Sequence, residues 1–157
     1  MEKNSNRALI SRLYSSAEGQ LESTDFATNS WSEWYQAVQE LTVPEKMVYI
    51  IVEMNQKVTN GGFTEFYEAS LGIFAPEIIH VLTEIRAIQT AAIVTNSLPI
   101  VNPTGLLDEE YKAFVFNLPL SDQQKAALYT LDIRYDQLHG QENLEDLLGD
   151  YLQELIK

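Results

Sequence analysis

Apolar residues recur along this chain at intervals of three and four, and no clean run of alternating polar and apolar positions is found. That is the periodicity of amphipathic helices rather than strands, and the predicted fold class is all-α. The opening stretch SNRALISRLYSSAEG places Leu9, Ile10, Leu13 and Tyr14 at helical spacing, with a cap at Ser5 and a stop at Gly19. Residues 20–29 read as a loop, so 1–29 form an N-terminal helix and loop. In SWSEWYQAVQEL, Trp31, Trp34, Tyr35, Val38 and Leu41 share one stripe.

The segment TVPEKMVYIIVEMNQKV has the start signals of a helix. Thr42 and Glu45 stand at capping-box spacing, and Pro44 falls in the first turn, where its missing N–H costs nothing. Met47, Val48, Ile50, Ile51, Val52 and Met54 leave it little polar face, so residues 44–58 are predicted as the central, most buried helix. It ends at Asn60-Gly61-Gly62. A short helix follows with Phe63, Phe66 and Tyr67 on one side and Gly72 as its end, then one led by Ala75-Pro76-Glu77. A separate or kinked helix runs to Pro99, residues 99–106 form a loop, and three more helices close a single-domain, multi-helix bundle over 1–157. Ser121 and Gly140 bound the long one, and ENLEDLLGDYLQELIK is the last.

Asn-Gly-Gly between helical runs could also be a phosphate loop. A Walker loop needs Gly-Lys-Ser/Thr and a dinucleotide fingerprint needs three glycines after a strand; here a helix precedes and Phe63 follows. The reading that remains is a helix stop and sharp corner, with Gly61 or Gly62 at positive φ and the aromatics folded back onto Ile51 and Met54. His80 and His139 belong to no spaced metal motif, and the chain has no cysteine, which excludes disulfides and thiolate zinc sites. Nothing implies an enzyme, a metal or a cofactor.

Charge changes the picture. With 23 acidic and 10 basic residues the net charge is −13. Such a balance disfavours direct nucleic-acid binding and anionic membranes and favours a basic partner. No apolar run is long enough to span a bilayer, no signal peptide is evident, and the chain reads as cytoplasmic. The charge is spread: −3 over residues 1–40, −5 over 41–120 and −5 over 121–157. Glu142, Asp146, Asp150 and Glu154 stand four apart in the last predicted helix, and Asp132 and Asp136 repeat the spacing before it. Like charges at that spacing slightly destabilise an isolated helix. The row is therefore either a solvated helix back or a surface imitating regularly spaced backbone phosphates.

The stretch NGGFTEFYEASLGIFAPEIIHVLTEIRAI, with Asn60, Gly61, Gly62, Phe63, Phe66, Tyr67 and then Ala75, Pro76 and Glu77, resembles the DNA-mimic protein family of small, acidic, all-helical bacterial proteins. The ending LYTLDIRYDQLHGQENLEDLLGDYLQELI is similar to the family's too, so the resemblance covers roughly residues 30–157. One position departs: the family usually carries Gly where Arg86 follows Ile85, so the helix either continues further or kinks differently. The resemblance implies an all-α fold, often a homodimer. It also implies an acidic surface occupying the DNA-binding face of a basic DNA-binding protein such as a transcription factor. The motif itself is structural, and the acidic rows are candidates from their spacing alone. Two other readings stay open: a helical interaction or immunity-like module, which predicts an exposed apolar patch, and a carboxylate enzyme, which predicts a pocket of converging acids with raised pKa.

Overall fold

The computed structural model of the chain describes residues 2–22 and 31–157, the side chains of residues 2–4 and 139 excepted. Within them are eight α-helices: α1 (Glu2–Glu22), α2 (Trp31–Gln39), α3 (Val43–Glu68), α4 (Ala75–Glu84), α5 (Ile88–Val101), α6 (Asp108–Phe116), α7 (Asp122–Gln137) and α8 (Leu144–Leu155). Short 3-10 turns precede α4 and follow α7. The all-helical expectation holds among the described residues. Most of the predicted loop at 20–29 lies outside them.

α3 is the centre. It packs against α1, α7, α4 and α8, and Val48, Ile50, Ile51 and Met54 are all but inaccessible. Its start follows the sequence signal: Thr42 Oγ1 accepts from the Glu45 backbone N–H at 3.3 Å, and Glu45 Oε1 accepts from the Thr42 N–H at 3.0 Å. Trp34 of α2 and Phe74 of the first 3-10 turn meet edge to face at 5.1 Å, while Tyr35 stacks on Phe74 at 5.7 Å.

Asn-Gly-Gly is a corner between two helical segments of α3, as expected. Gly61 (φ −141°, ψ 15°) and Gly62 (φ 73°, ψ −173°) leave helical values, and the backbone resumes the helix to Glu68. Gly62 takes the predicted positive φ. Phe63, Phe66 and Tyr67 are fully buried in the same core as Ile51 and Met54. Phe63 presents its ring edge-on to Phe66 at 6.0 Å and to Tyr135 of α7 at 5.9 Å. The corner thus turns α3 onto α7.

Several predicted boundaries move. α1 runs through Gly19 to Glu22, because one exposed glycine costs a helix only about 1 kcal/mol. The helix after the corner stops at Glu68, and Gly72 sits buried in the following 3-10 turn. α5 continues past Pro99 to Val101. At Arg86 the helix neither continues nor kinks. Arg86 itself takes φ 70°, its N–H donates to Thr83 O at 3.1 Å, and the Ala87 N–H donates to Leu82 O at 2.8 Å. This is the Schellman closure that glycine usually makes, completed by arginine.

Candidate partner-binding surface

The acidic row divides once the helix starts are known. Asn143 caps α8, its Oδ1 accepting from the Asp146 N–H at 3.0 Å, so α8 begins at Leu144 and Glu142 lies outside it. Glu142 is turned toward α5, where its Oε1 accepts from the Thr90 N–H at 2.8 Å and Oγ1 at 2.7 Å. Its Oε2 accepts from the Gln89 N–H at 2.8 Å. α5 has no capping side chain at its own N-cap, and Glu142 supplies one from 52 residues away.

Asp132 is likewise turned inward. Half-buried on α7, it accepts from the Phe63 N–H at 2.8 Å and so satisfies the first donor after the glycine corner. Burial holds its carboxyl above the usual aspartate range, with the nearby Asp136 charge adding and the Phe63 hydrogen bond opposing. Asp136, one turn on, is exposed.

The outward remainder on α8 is Asp146, Asp150 and Glu154. Asp150 and Glu154 are exposed and Asp146 half-exposed, and they span about 12 Å at ~1.5 Å per residue. Asp150 accepts from Asn6 Nδ2 at 2.9 Å, and Glu154 pairs with Lys157 at 3.4 Å. One carboxylate per ~6 Å is about half the axial charge density of a single DNA strand, which carries a phosphate per ~3.4 Å. The spacing signal also passed over Asp108, Glu109 and Glu110, which are exposed in the first turn of α6. There they suit the helix dipole, and three adjacent acids in the sequence were the available cue.

The alternatives can be placed on the same map. Tyr129 and Ile133, one turn apart on α7, are 64% and 45% exposed. A cavity of about 220 Å³ between α3, α5, α7 and α8 is lined by Asn55, Thr90, Tyr135 and Glu142. Its polar groups bond one another, Tyr135 donating to Asn55 Oδ1 at 2.6 Å. His80 is exposed and bonded to Glu84 at 2.8 Å. Among the described residues no group of three or more His, Asp or Glu is arranged to hold a metal, and no helix is long and apolar enough to cross a membrane.

Compared with known proteins, residues 39–155 match the family model described as DMP19-like protein. No curated protein and no solved structure matches the chain.

Proposed function

The chain belongs to the DMP19-like protein family, the family of DNA mimic protein 19, and from that premise we propose that it is a double-stranded DNA mimic. It would occupy the DNA-binding face of a basic partner such as a transcriptional repressor. The observation that carries the reading on this chain is the outward carboxylate row Asp146, Asp150 and Glu154 on α8, on a molecule of net charge −13. Asp136 is the exposed member of the pair on α7. Asp132 and Glu142 support the surface indirectly, by fixing the corner and the start of α5.

A partner that reads phosphates with Lys and Arg would meet these carboxylates as exposed ion pairs, each worth ~0.2–1 kcal/mol. The variant Asp146→Asn/Asp150→Asn/Glu154→Gln therefore loses about 2 kcal/mol, or roughly thirtyfold in Kd, toward a basic protein captured from the native host. Wild-type binding weakens steeply with salt, and the variant's salt dependence is shallower. Unchanged affinity in the variant rejects mimicry through α8. If Tyr129→Asp alone abolishes binding in that case, the exposed apolar pair on α7 and the interaction-module reading replace it.

A further inference from the structure

α1 precedes the matched family segment, which begins at residue 39, yet it packs along both α3 and α8. Its halves differ in chemistry. Lys3, Arg7 and Arg12, three of the chain's ten basic residues, lie in the first half with one acid, Glu2, whereas Glu18 and Glu22 lie in the second with no base. The basic half meets α8. Arg7 Nε is 3.2 Å from Glu145 Oε1, and Asn6 Nδ2 donates to Asp150 Oδ1 at 2.9 Å. Gln153 Nε2 donates to Ser5 Oγ at 3.0 Å and to Asn6 Oδ1 at 3.4 Å.

Glycine makes this approach possible. A Cβ on Gly149 would lie 2.3 Å from Asn6 Cγ, and Asn6 is only 3% exposed. The second half is held separately on α3: Tyr14 donates to Glu53 at 2.6 Å, and Ser16 and Gln20 donate to Glu45. Ala17 and Leu21 are buried there. The first half has Leu9 buried and Ile10 and Leu13 half-buried. Its polar hold on α8 is one exposed ion pair, Arg7–Glu145, which a second cation can replace, and the hydrogen bonds of Ser5 and Asn6 to Asp150 and Gln153.

We propose that the first half of α1 is a displaceable strap: its Asn6 amide and Arg7 guanidinium occupy two α8 carboxylates, Asp150 of the row and Glu145 beside it, so strap seating weakens partner binding. The proposal rests on the α8 reading above. Displacement frees Asp150, the middle carboxylate of the row, and Glu145 beside it, while the second half keeps α1 tethered to α3.

The full chain lacks cysteine, so Ser5→Cys/Gln153→Cys can be joined by a short bis-maleimide, each thiolate adding across one maleimide double bond, with no competing thiol. The same variant with each thiol capped by a small alkylating reagent is the open comparison. The probe is a fluorescent nona-arginine peptide, followed by anisotropy at low and high salt, with thermal melts to establish folding. The cross-linked form is expected to bind about tenfold more weakly than the capped form, a coupling of ordinary allosteric size. Gly149→Ala, which pushes Asn6 away, is expected to bind more tightly than wild type. Equal binding by cross-linked and capped forms, with Asp146→Asn/Asp150→Asn/Glu154→Gln still weakening the probe, overturns the strap and leaves the α8 reading standing. Probe binding indifferent to that neutralisation overturns both.

Discussion

Gly62→Ala is expected to destabilise the protein by about 3 kcal/mol, combining ~1–3 kcal/mol of backbone strain with a damaged, part-buried hydrogen bond to a carboxylate of ~1–3 kcal/mol. Gly62 sits at φ 73° and ψ −173°, a region essentially restricted to glycine. Its new Cβ would also lie 2.2 Å from Asp132 Oδ2, so the carboxylate whose Oδ1 accepts from the Phe63 N–H must move. A thermal melt should show Tm falling by roughly 6–12 °C, at about 2–4 °C per kcal/mol for a chain of this size. Asp132→Ala in the Gly62→Ala background makes room for the Cβ but leaves φ unchanged, so the two substitutions should cost less together than their separate costs imply. Asp132→Asn keeps an acceptor and should cost less than Asp132→Ala. A Gly62→Ala protein within ~0.5 kcal/mol of wild type would mean that the corner tolerates a side chain and is not what orients Phe63.

Glu45→Ala is the second large effect, about 3 kcal/mol by loss of a cap worth ~1 kcal/mol and of hydrogen bonds to a charged acceptor at ~1.5–3 kcal/mol each, partly replaced by water. Buried Glu45 accepts from Thr42 N at 3.0 Å, Thr42 Oγ1 at 2.8 Å, Gln20 Nε2 at 2.8 Å and Ser16 Oγ at 2.5 Å. It therefore starts α3 and fastens α1 to it. The Ser16 hydrogen bond chiefly holds its carboxyl below the usual glutamate value of 4.5, with burial opposing and the Thr42 bonds assisting. The native state then binds fewer protons than the unfolded one around that value. Glu45 thus contributes stability that is fully present above pH 4.5 and is lost as pH falls through its lower folded pKa. Asp132 has the opposite sign: raised above 3.8, its contribution is present below that pH and fades as pH rises through its folded pKa. Chemical denaturation from pH 3 to pH 7 should show Glu45→Ala losing most relative to wild type at neutral pH, with the gap narrowing in acid. A gap constant with pH would remove the charge from the account of this cap.

Local signals carried the fold. Thr42 and Glu45 are three residues apart, and the glycine corner is contiguous, so the start and bend of α3 could be read directly. Gly19 and Pro99 misled because α1 and α5 tolerate a local break that tertiary packing offsets. Arg86 shows the same override, since the Schellman bonds to Leu82 and Thr83 hold a non-glycine residue at positive φ.

The surface was only half legible, for a different reason. A four-residue spacing places carboxylates on one face, but it says nothing of what faces them. Glu142 meets Thr90 from 52 residues away and Asp132 meets Phe63 from 69, distances at which no sequence pattern pairs residues. Asn143, which moves the helix start past Glu142, was the one local cue. What emerges is a shorter row than the sequence suggests, with two of its acids serving the scaffold that presents the others.

The most direct test of DNA mimicry is a three-component binding experiment. A basic DNA-binding protein captured from the native host is mixed with its own duplex DNA, and this protein is titrated in while complexes are resolved by gel shift and size-exclusion chromatography. Mimicry predicts that the duplex is released as this protein binds, that the two never share a complex, and that added salt weakens both interactions. A stable complex containing partner, duplex and this protein together would contradict it.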